Sequence, residues 1–219
     1  MKNKSKGWIV GFIALVISIL GVIGKYVIKV DPFFHYHKPD TDKYYYTLNN
    51  QRSQNDGIMR TFEYDAIITG TSMTENFKTS EMDEMFGTKS IKIPYEGATF
   101  KEVNDALGKA LSCNSDVRII IRGLDMAKII EDKNAMREDL GEFPTYLYDN
   151  KLWNDVEYIF NRDVIFERVY PMLMANDKPE FSTGITSFDE YSNWMSGVTF
   201  GIQSVRPDGI CLLYTSRCV

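Results

Sequence analysis

The chain has 219 residues, enough for one α/β domain with its own core beside a targeting segment. Its formal net charge of -5 and isoelectric point near 5.2 give no basic surface for a phosphate backbone, so nucleic acid is not an expected partner. Of the three cysteines, Cys211 and Cys218 lie in an atypical closing stretch; Cys113 alone makes no internal disulfide, so the core must hold the fold unaided and the redox compartment stays open.

From Gly7 to Gly24 no residue is charged, and Trp8 to Leu20 is apolar apart from Ser18. The run approaches the roughly 20 residues a spanning helix needs, and Tyr26, Val27 and Ile28 extend it while Lys25 snorkels. Trp8 and Tyr26 bracket it like interfacial anchors. A cleaved signal peptide is the alternative, with a shorter apolar core and a small-x-small cleavage site, but no convincing Ala-x-Ala follows. We expect residues 1–29 to be a cytoplasmic N-terminus and membrane anchor. Lys2, Lys4 and Lys6 favour an inside N-terminus with the remainder facing outward, a bias that Lys25 and Lys29 on the other flank oppose.

Residues 30–63 read as a juxtamembrane segment. Asp31-Pro32-Phe33-Phe34-His35-Tyr36-His37-Lys38-Pro39 and Tyr44-Tyr45-Tyr46 are aromatic and proline-broken, without helical or strand periodicity. His35 and His37 are the only histidines; with no cysteine or carboxylate cluster beside them, a loop role is expected rather than a metal site.

An α/β domain is expected over 64–206. Asp65 to Gly70 is a short apolar run ending in glycine, as in a strand buried on both faces of a parallel sheet. Ser80, with Asp83 three residues on, suggests the cap of a short helix closed by Gly87. Ser90 to Pro94 alternates like a strand, Phe100, Val103, Leu107, Ala110 and Leu111 mark one helix face, and Asp116 to Arg122 supplies a third strand. Strands separated by helices predict β-α-β units and a parallel sheet covered on both faces. Beyond Gly123, Leu152, Val156, Ile159 and Phe160, then Ile165, Val169 and Leu173, keep helical spacing and suggest an inserted helical pair. Tyr146, Tyr148, Trp153, Tyr158 and Tyr170 are expected to pack half-buried on the sheet rather than to line a carbohydrate or acyl pocket.

Ser72 lies just past the end of the first of these strands, where open α/β sheets bind ligands. No G-x-x-x-x-G-K-[ST] or G-x-G-x-x-G surrounds Gly70, which disfavours a nucleotide site. Ile68-Thr69-Gly70-Thr71-Ser72 instead resembles the first block of the SGNH or GDSL hydrolases, and the tract Gly70 to Phe77 resembles that of a membrane-anchored bacterial subgroup. The resemblance implies a three-layer, flavodoxin-like parallel sheet with helices on both faces, behind one N-terminal transmembrane helix. It implies Ser72 as nucleophile and Gly97, in Tyr95-Glu96-Gly97-Ala98-Thr99, as an oxyanion-hole N–H. Two positions depart from the family: Thr71 replaces the usual aspartate, and Gly123-Leu124-Asp125-Met126 stands for Gly-x-Asn-Asp, with Asp125 in the asparagine position. An ionised carboxylate repels an oxyanion, so Asp125 is either protonated, or has another job such as capping a helix from Met126.

The Asp-x-x-His that the family carries near its C-terminus does not occur, and a serine without a base is a poor nucleophile, so this chain is expected to be nearly inactive by itself. Residues 207–219 fit nothing before them and are expected to be a non-native tail on a truncated chain. The resemblance implies an esterase or acyltransferase without cofactor or metal, acting on O-acetyl or D-alanyl groups of cell-surface polymers. The departures at Thr71 and Asp125 keep open a non-catalytic binding or assembly module in envelope polysaccharide biosynthesis.

Overall fold

The structure is a computed structural model that describes residues 2–130, 132–137, 143–149, 151–175 and 183–189. The proposed tail at 207–219 and the end of the expected domain, 190–206, lie outside the described residues. Helix α1 spans Lys2–Val30, and its part Lys6–Val30, with mean hydropathy 2.4, is long and apolar enough to cross a membrane. Residues 6–22 are exposed, whereas Gly24, Val27 and Val30, spaced by three, turn into the domain. Val27 and Val30 belong to the main hydrophobic core.

The segment after α1 is not a loose loop. Asp31 and Phe34 take left-handed backbone conformations, with φ of 45° and 59°, and turn the chain back sharply. The buried Asp31 carboxylate accepts from the backbone N–H groups of His35 (3.0 Å), Tyr36 (2.7 Å) and His37 (3.0 Å), and from the Tyr158 hydroxyl (2.8 Å). Phe33 and Phe34 thereby enter the core. Tyr45–Tyr46 forms strand β1, and helix α2 spans Gln51–Thr61 with Asn50 as its cap, accepting from Ser53 N–H.

Helix α2 carries no amphipathic signal because its buried face is largely polar: Gln51, Gln54, Asn55, Asp56 and Gly57 are buried beside Ile58 and Met59. Each long polar side chain has a fixed partner. Gln54 Nε2 donates to the carbonyls of Pro32 and Thr47, Asn55 Nδ2 donates to Pro94 O at 2.7 Å, and Asp56 pairs with Arg60 and Lys109. A Cβ at Gly57 would collide with the Phe33 carbonyl, so glycine is what lets α2 lie against the Asp31 corner.

The expected mixed α/β organisation with parallel strands is present. Strand β2 (Ala66–Thr69) is followed by α3 (Thr79–Phe86), β3 (Ser90–Lys92), α4 (Phe100–Cys113), β4 (Ile119–Arg122) and the short α5 (Met126–Ile129). The strand order is β3-β2-β4, parallel throughout, with Ile68 opposite both Lys92 and Ile121. Ile67, Ile91 and Ile93 join Ile58 and Met59 of α2 and Val103, Ala106 and Ala110 of α4 in the main core, while Ala66, Ile68, Ile119 and Ile121 pack with Met82 of α3.

Two details of the helices differ from the sequence reading. Gly87 does close α3, with φ of 60°, but neither Ser80 nor Asp83 caps it. Asp189, far along the chain, accepts from Thr79 N–H (2.6 Å), the Thr79 hydroxyl (2.9 Å) and Ser80 N–H (3.1 Å), while Asp83 accepts from the hydroxyls of Thr88 and Ser90. In α4 the inward face is Val103, Ala106 and Ala110, and Leu111 is exposed.

Beyond β4, α6 (Val156–Ile159) is a single turn, and a π-helical stretch at Val164–Val169 runs directly into α7 (Tyr170–Ala175). Pro171 has no N–H to give the Glu167 carbonyl, which accounts for the widened turn. Helix α6 and the π-helical stretch pack on α1, and a Cβ at Gly24 would come within 3.3 Å of Ile159. Of the five aromatics expected half-buried on the sheet, Tyr158 is fully buried and Tyr146 and Tyr148 half-buried, but Trp153 and Tyr170 face outward. Strand β5 (Gly184–Ile185) pairs in parallel with β1 to make a second, two-stranded sheet.

Candidate active site

Strand β2 is buried along its whole length and delivers the chain to one edge of the sheet. There Gly70, with φ of 153°, turns the backbone, and a Cβ on it would meet the Thr74 methyl at 2.6 Å and the Gly123 carbonyl at 3.1 Å. Ser72 opens a 3-10 turn, Ser72–Asn76, held by Thr74 N–H and the Thr74 hydroxyl donating to Thr71 O at 3.0 and 2.8 Å. Ser72 is half-exposed, and its hydroxyl makes no hydrogen bond among the described residues.

The chain leaving β3 runs beside this turn, since Ile93 N–H donates to Ile68 O and Tyr95 N–H to Gly70 O. A tight turn follows in which Ala98 N–H donates to Tyr95 O and Gly97 takes φ of 56°. Gln51 fastens the two loops together: its Nε2 donates to Glu75 Oε1 at 2.5 Å and its Oε1 accepts from Glu96 N–H. Arg52 donates to Glu96 O at 3.1 Å. The Gly97 N–H is engaged by no group among the described residues, yet the Arg137 guanidinium lies against the Gly97 α-carbon, where any side chain would collide with it.

On the other side of β2, Gly123 N–H donates to Thr69 O, and Asp125 stands directly before α5, its backbone carbonyl accepting from Lys128 N–H. Thr71, Thr99, Gly123 and Asp125 line a shallow cleft of about 10 Å³, room for about one water. The structure thus brings Asp125 and the Thr71 turn together. Ser72 and Gly97 do not line that cleft, although both lie on the same edge of the sheet.

Beneath the turn lie two buried ionisable side chains that sequence reasoning did not single out. Glu75 and Lys92 are both fully buried; Lys92 Nζ donates to the carbonyls of Glu75 (3.0 Å) and Phe77 (3.1 Å) and so props the Ser72 turn from below. Burial pushes the Glu75 carboxyl up to about 7 despite the Gln51 hydrogen bond, and burial pulls the Lys92 ammonium down to about 8 against the opposing pull of Asp189 and Glu75. Because the folded state holds the Glu75 proton more tightly than the unfolded chain, the stability this gives is complete below the ordinary carboxylate value and is lost as pH rises through 7. Glu75→Gln keeps an oxygen for Gln51 and removes the charge. It is expected to raise the melting temperature by about 3 °C at pH 8 and to leave it unchanged at pH 4.5; thermal melts at the two pH values check this, and equal gains at both would place the effect elsewhere.

Neither histidine serves Ser72. Arg60 donates to His35 Nδ1 at 2.8 Å, and since arginine only donates, the His35 proton sits on Nε2, which points at Asp155 Oδ1 at 3.3 Å. His37 is held by the carbonyls of Lys38 and Ile28. No group of three or more metal-ligating side chains occurs among the described residues. Set against protein-family models, curated proteins and solved structures, the chain matches none.

One local signal for this region was available in the sequence. Thr99-Phe100-Lys101-Glu102 is a capping box: Glu102 N–H donates to Thr99 Oγ1 at 3.2 Å and Thr99 N–H donates to Glu102 Oε2 at 2.9 Å, fixing the start of α4 beside Gly97. Gln51, Lys92 and Arg137 reach the site only through tertiary contacts, and nothing in their local spacing announces them.

Proposed function

We propose that the protein is a membrane-anchored serine esterase or acyltransferase of the SGNH type, working on ester-linked acyl groups such as O-acetyl or D-alanyl on cell-surface polymers. One observation carries this reading: a half-exposed serine on a turn straight after a fully buried central strand, flanked by the Gly97 turn after β3 and the Gly123–Asp125 turn after β4. Across the sheet the strands run second-first-third in chain order, so the connection after β2 goes to one side and the connection after β3 crosses to the other, which opens a crevice at the end of β2, the place where open parallel sheets bind ligands. A three-layer, flavodoxin-like sheet is the architecture this order suits. In the proposed reaction Ser72 Oγ attacks the ester carbonyl, the alkoxide leaves with a proton, and water or a sugar hydroxyl then takes the acyl group from the serine. The Gly97 N–H would face the developing oxyanion. An exposed apolar α1 suits a catalyst held at the bilayer, with the domain on the outer side.

The test is labelling of the protein by a fluorophosphonate probe, alongside release of acetate or D-alanine from wall polymer. Ser72→Ala is expected to abolish the label and to reduce release by at least about a hundredfold. Equal label or equal release in the two proteins would overturn the reading. Labelling is expected to be slow, because both histidines are committed elsewhere.

The Arg137 guanidinium against Gly97 and the cleft of about 10 Å³ favour a second reading, a non-catalytic module for binding or assembly in envelope polysaccharide biosynthesis. It predicts no label on Ser72.

A further inference from the structure

A pocket away from Ser72 lies close to where α1 enters the domain. It measures about 380 Å³, within the range of small-molecule sites, and its walls are mostly apolar. Pro32, two residues beyond the end of α1, lines it together with Tyr46 of β1 and Met172 and Met174 of α7. The widened turn before Pro171 forms the facing wall and places Glu167 and Arg168 there. Arg168 is half-buried and donates from Nη1 to the neutral Asn49 Oδ1 at 2.5 Å; among the described residues no carboxylate lies within ion-pair distance of it, and the adjacent exposed Glu167 acts on it through space. A guanidinium on an apolar wall is favoured by an anion.

The surface around this pocket is also apolar. Phe166, Tyr170 and Met174, spaced by four, are 62%, 54% and 47% exposed, and Trp153, Val156 and Phe160 of the preceding stretch are exposed as well. These residues belong to, or directly adjoin, the elements that pack on the end of α1. Exposed apolar and aromatic side chains in this number mark an interaction face, and beside a spanning helix their natural partner is the bilayer interface.

We propose that this pocket takes one acyl chain of an anionic phospholipid, whose headgroup pairs with Arg168. The chain lies against Pro32, Tyr46 and the two methionines, and the aromatic face around it rests in the headgroup layer. Methionine suits such a wall because its unbranched side chain adapts to a mobile aliphatic guest. The proposal is independent of the chemistry at Ser72 and rests on α1 crossing the bilayer.

The full chain, reconstituted in phosphatidylcholine vesicles doped with phosphatidylglycerol that carries a diazirine on one acyl chain, is irradiated, digested and mapped by mass spectrometry. Adducts are expected on α1, reporting insertion, and on the peptide containing Met172 and Met174. Thr47→Trp, which fills the pocket, is expected to remove the second set and retain the first; Met174→Trp serves as a second filling variant where Thr47→Trp melts early. Arg168→Gln is expected to lower pocket adducts about tenfold, as loss of a charge-assisted contact does. The same diazirine on phosphatidylcholine is expected to label the pocket as weakly. Adducts confined to α1, undiminished adducts in the filled variants, or equal labelling by the two lipids would overturn the proposal; absence of adducts on α1 would instead remove the anchor on which it rests.

Discussion

Gly70→Ala is expected to leave too little folded protein to purify. The residue sits at φ of 153°, a conformation that side chains with a Cβ rarely adopt, and the new methyl would lie 2.6 Å from the Thr74 methyl and 3.1 Å from the Gly123 carbonyl. Backbone strain and overpacking each cost about 1 to 3 kcal/mol. Their sum is a large share of the roughly 5 to 15 kcal/mol that holds a domain folded. Neither partner can retreat easily: the Thr74 hydroxyl is tied to Thr71 O, and the Gly123 N–H is tied to Thr69 O. Thr74→Ser keeps the hydroxyl and removes the methyl, so the double variant Gly70→Ala, Thr74→Ser is expected to recover part of the soluble yield. Yield and urea midpoint of the three variants check this; no recovery in the double variant would assign the loss to backbone strain alone.

Asp31→Ala is expected to cost about 3 to 5 kcal/mol, because it strands three backbone N–H groups and the Tyr158 hydroxyl in a buried corner. Burial raises the Asp31 carboxyl above its ordinary value, against the four hydrogen bonds that hold it down. Asp31→Asn keeps one acceptor oxygen and tolerates the left-handed backbone, so its cost is expected to be about half. Hydrogen exchange localises the effect. The amides of residues 35–37 should lose protection in Asp31→Ala well before those of β2, and uniform loss would show that the corner and the sheet unfold as one.

The parallel strands were legible because each is a short apolar run bounded by turn residues, and α1 because its length and composition admit little else. Gly87 was legible for a local reason too, the need for a left-handed residue at the end of α3. Helix α2 was not, since seven of its residues are buried but only two of those, Ile58 and Met59, are large and apolar. The Asp31 corner also escaped, because its pattern of acceptor and donors closes only when Tyr158 arrives from 127 residues away. Asp189 capping α3 across 110 residues is a similar case, where local spacing pointed to Ser80 and Asp83 instead. At the candidate site, the position of Ser72 follows from the strand that precedes it, whereas the Arg137 contact at Gly97 and the Gln51 bridge depend on packing between distant segments.

The last turns of α1 are part of the hydrophobic core, and the chain passes from helix to domain through a hydrogen-bonded corner rather than a flexible tether. With α1 in a bilayer, the helix and the domain would therefore move as one lever. Spanning helices accommodate thicker or thinner membranes by tilting, and here a change of tilt would swing the Ser72 edge of the sheet through the same angle. Bilayer thickness would then set the height above the surface at which the Ser72 edge sits, without any change in the domain itself.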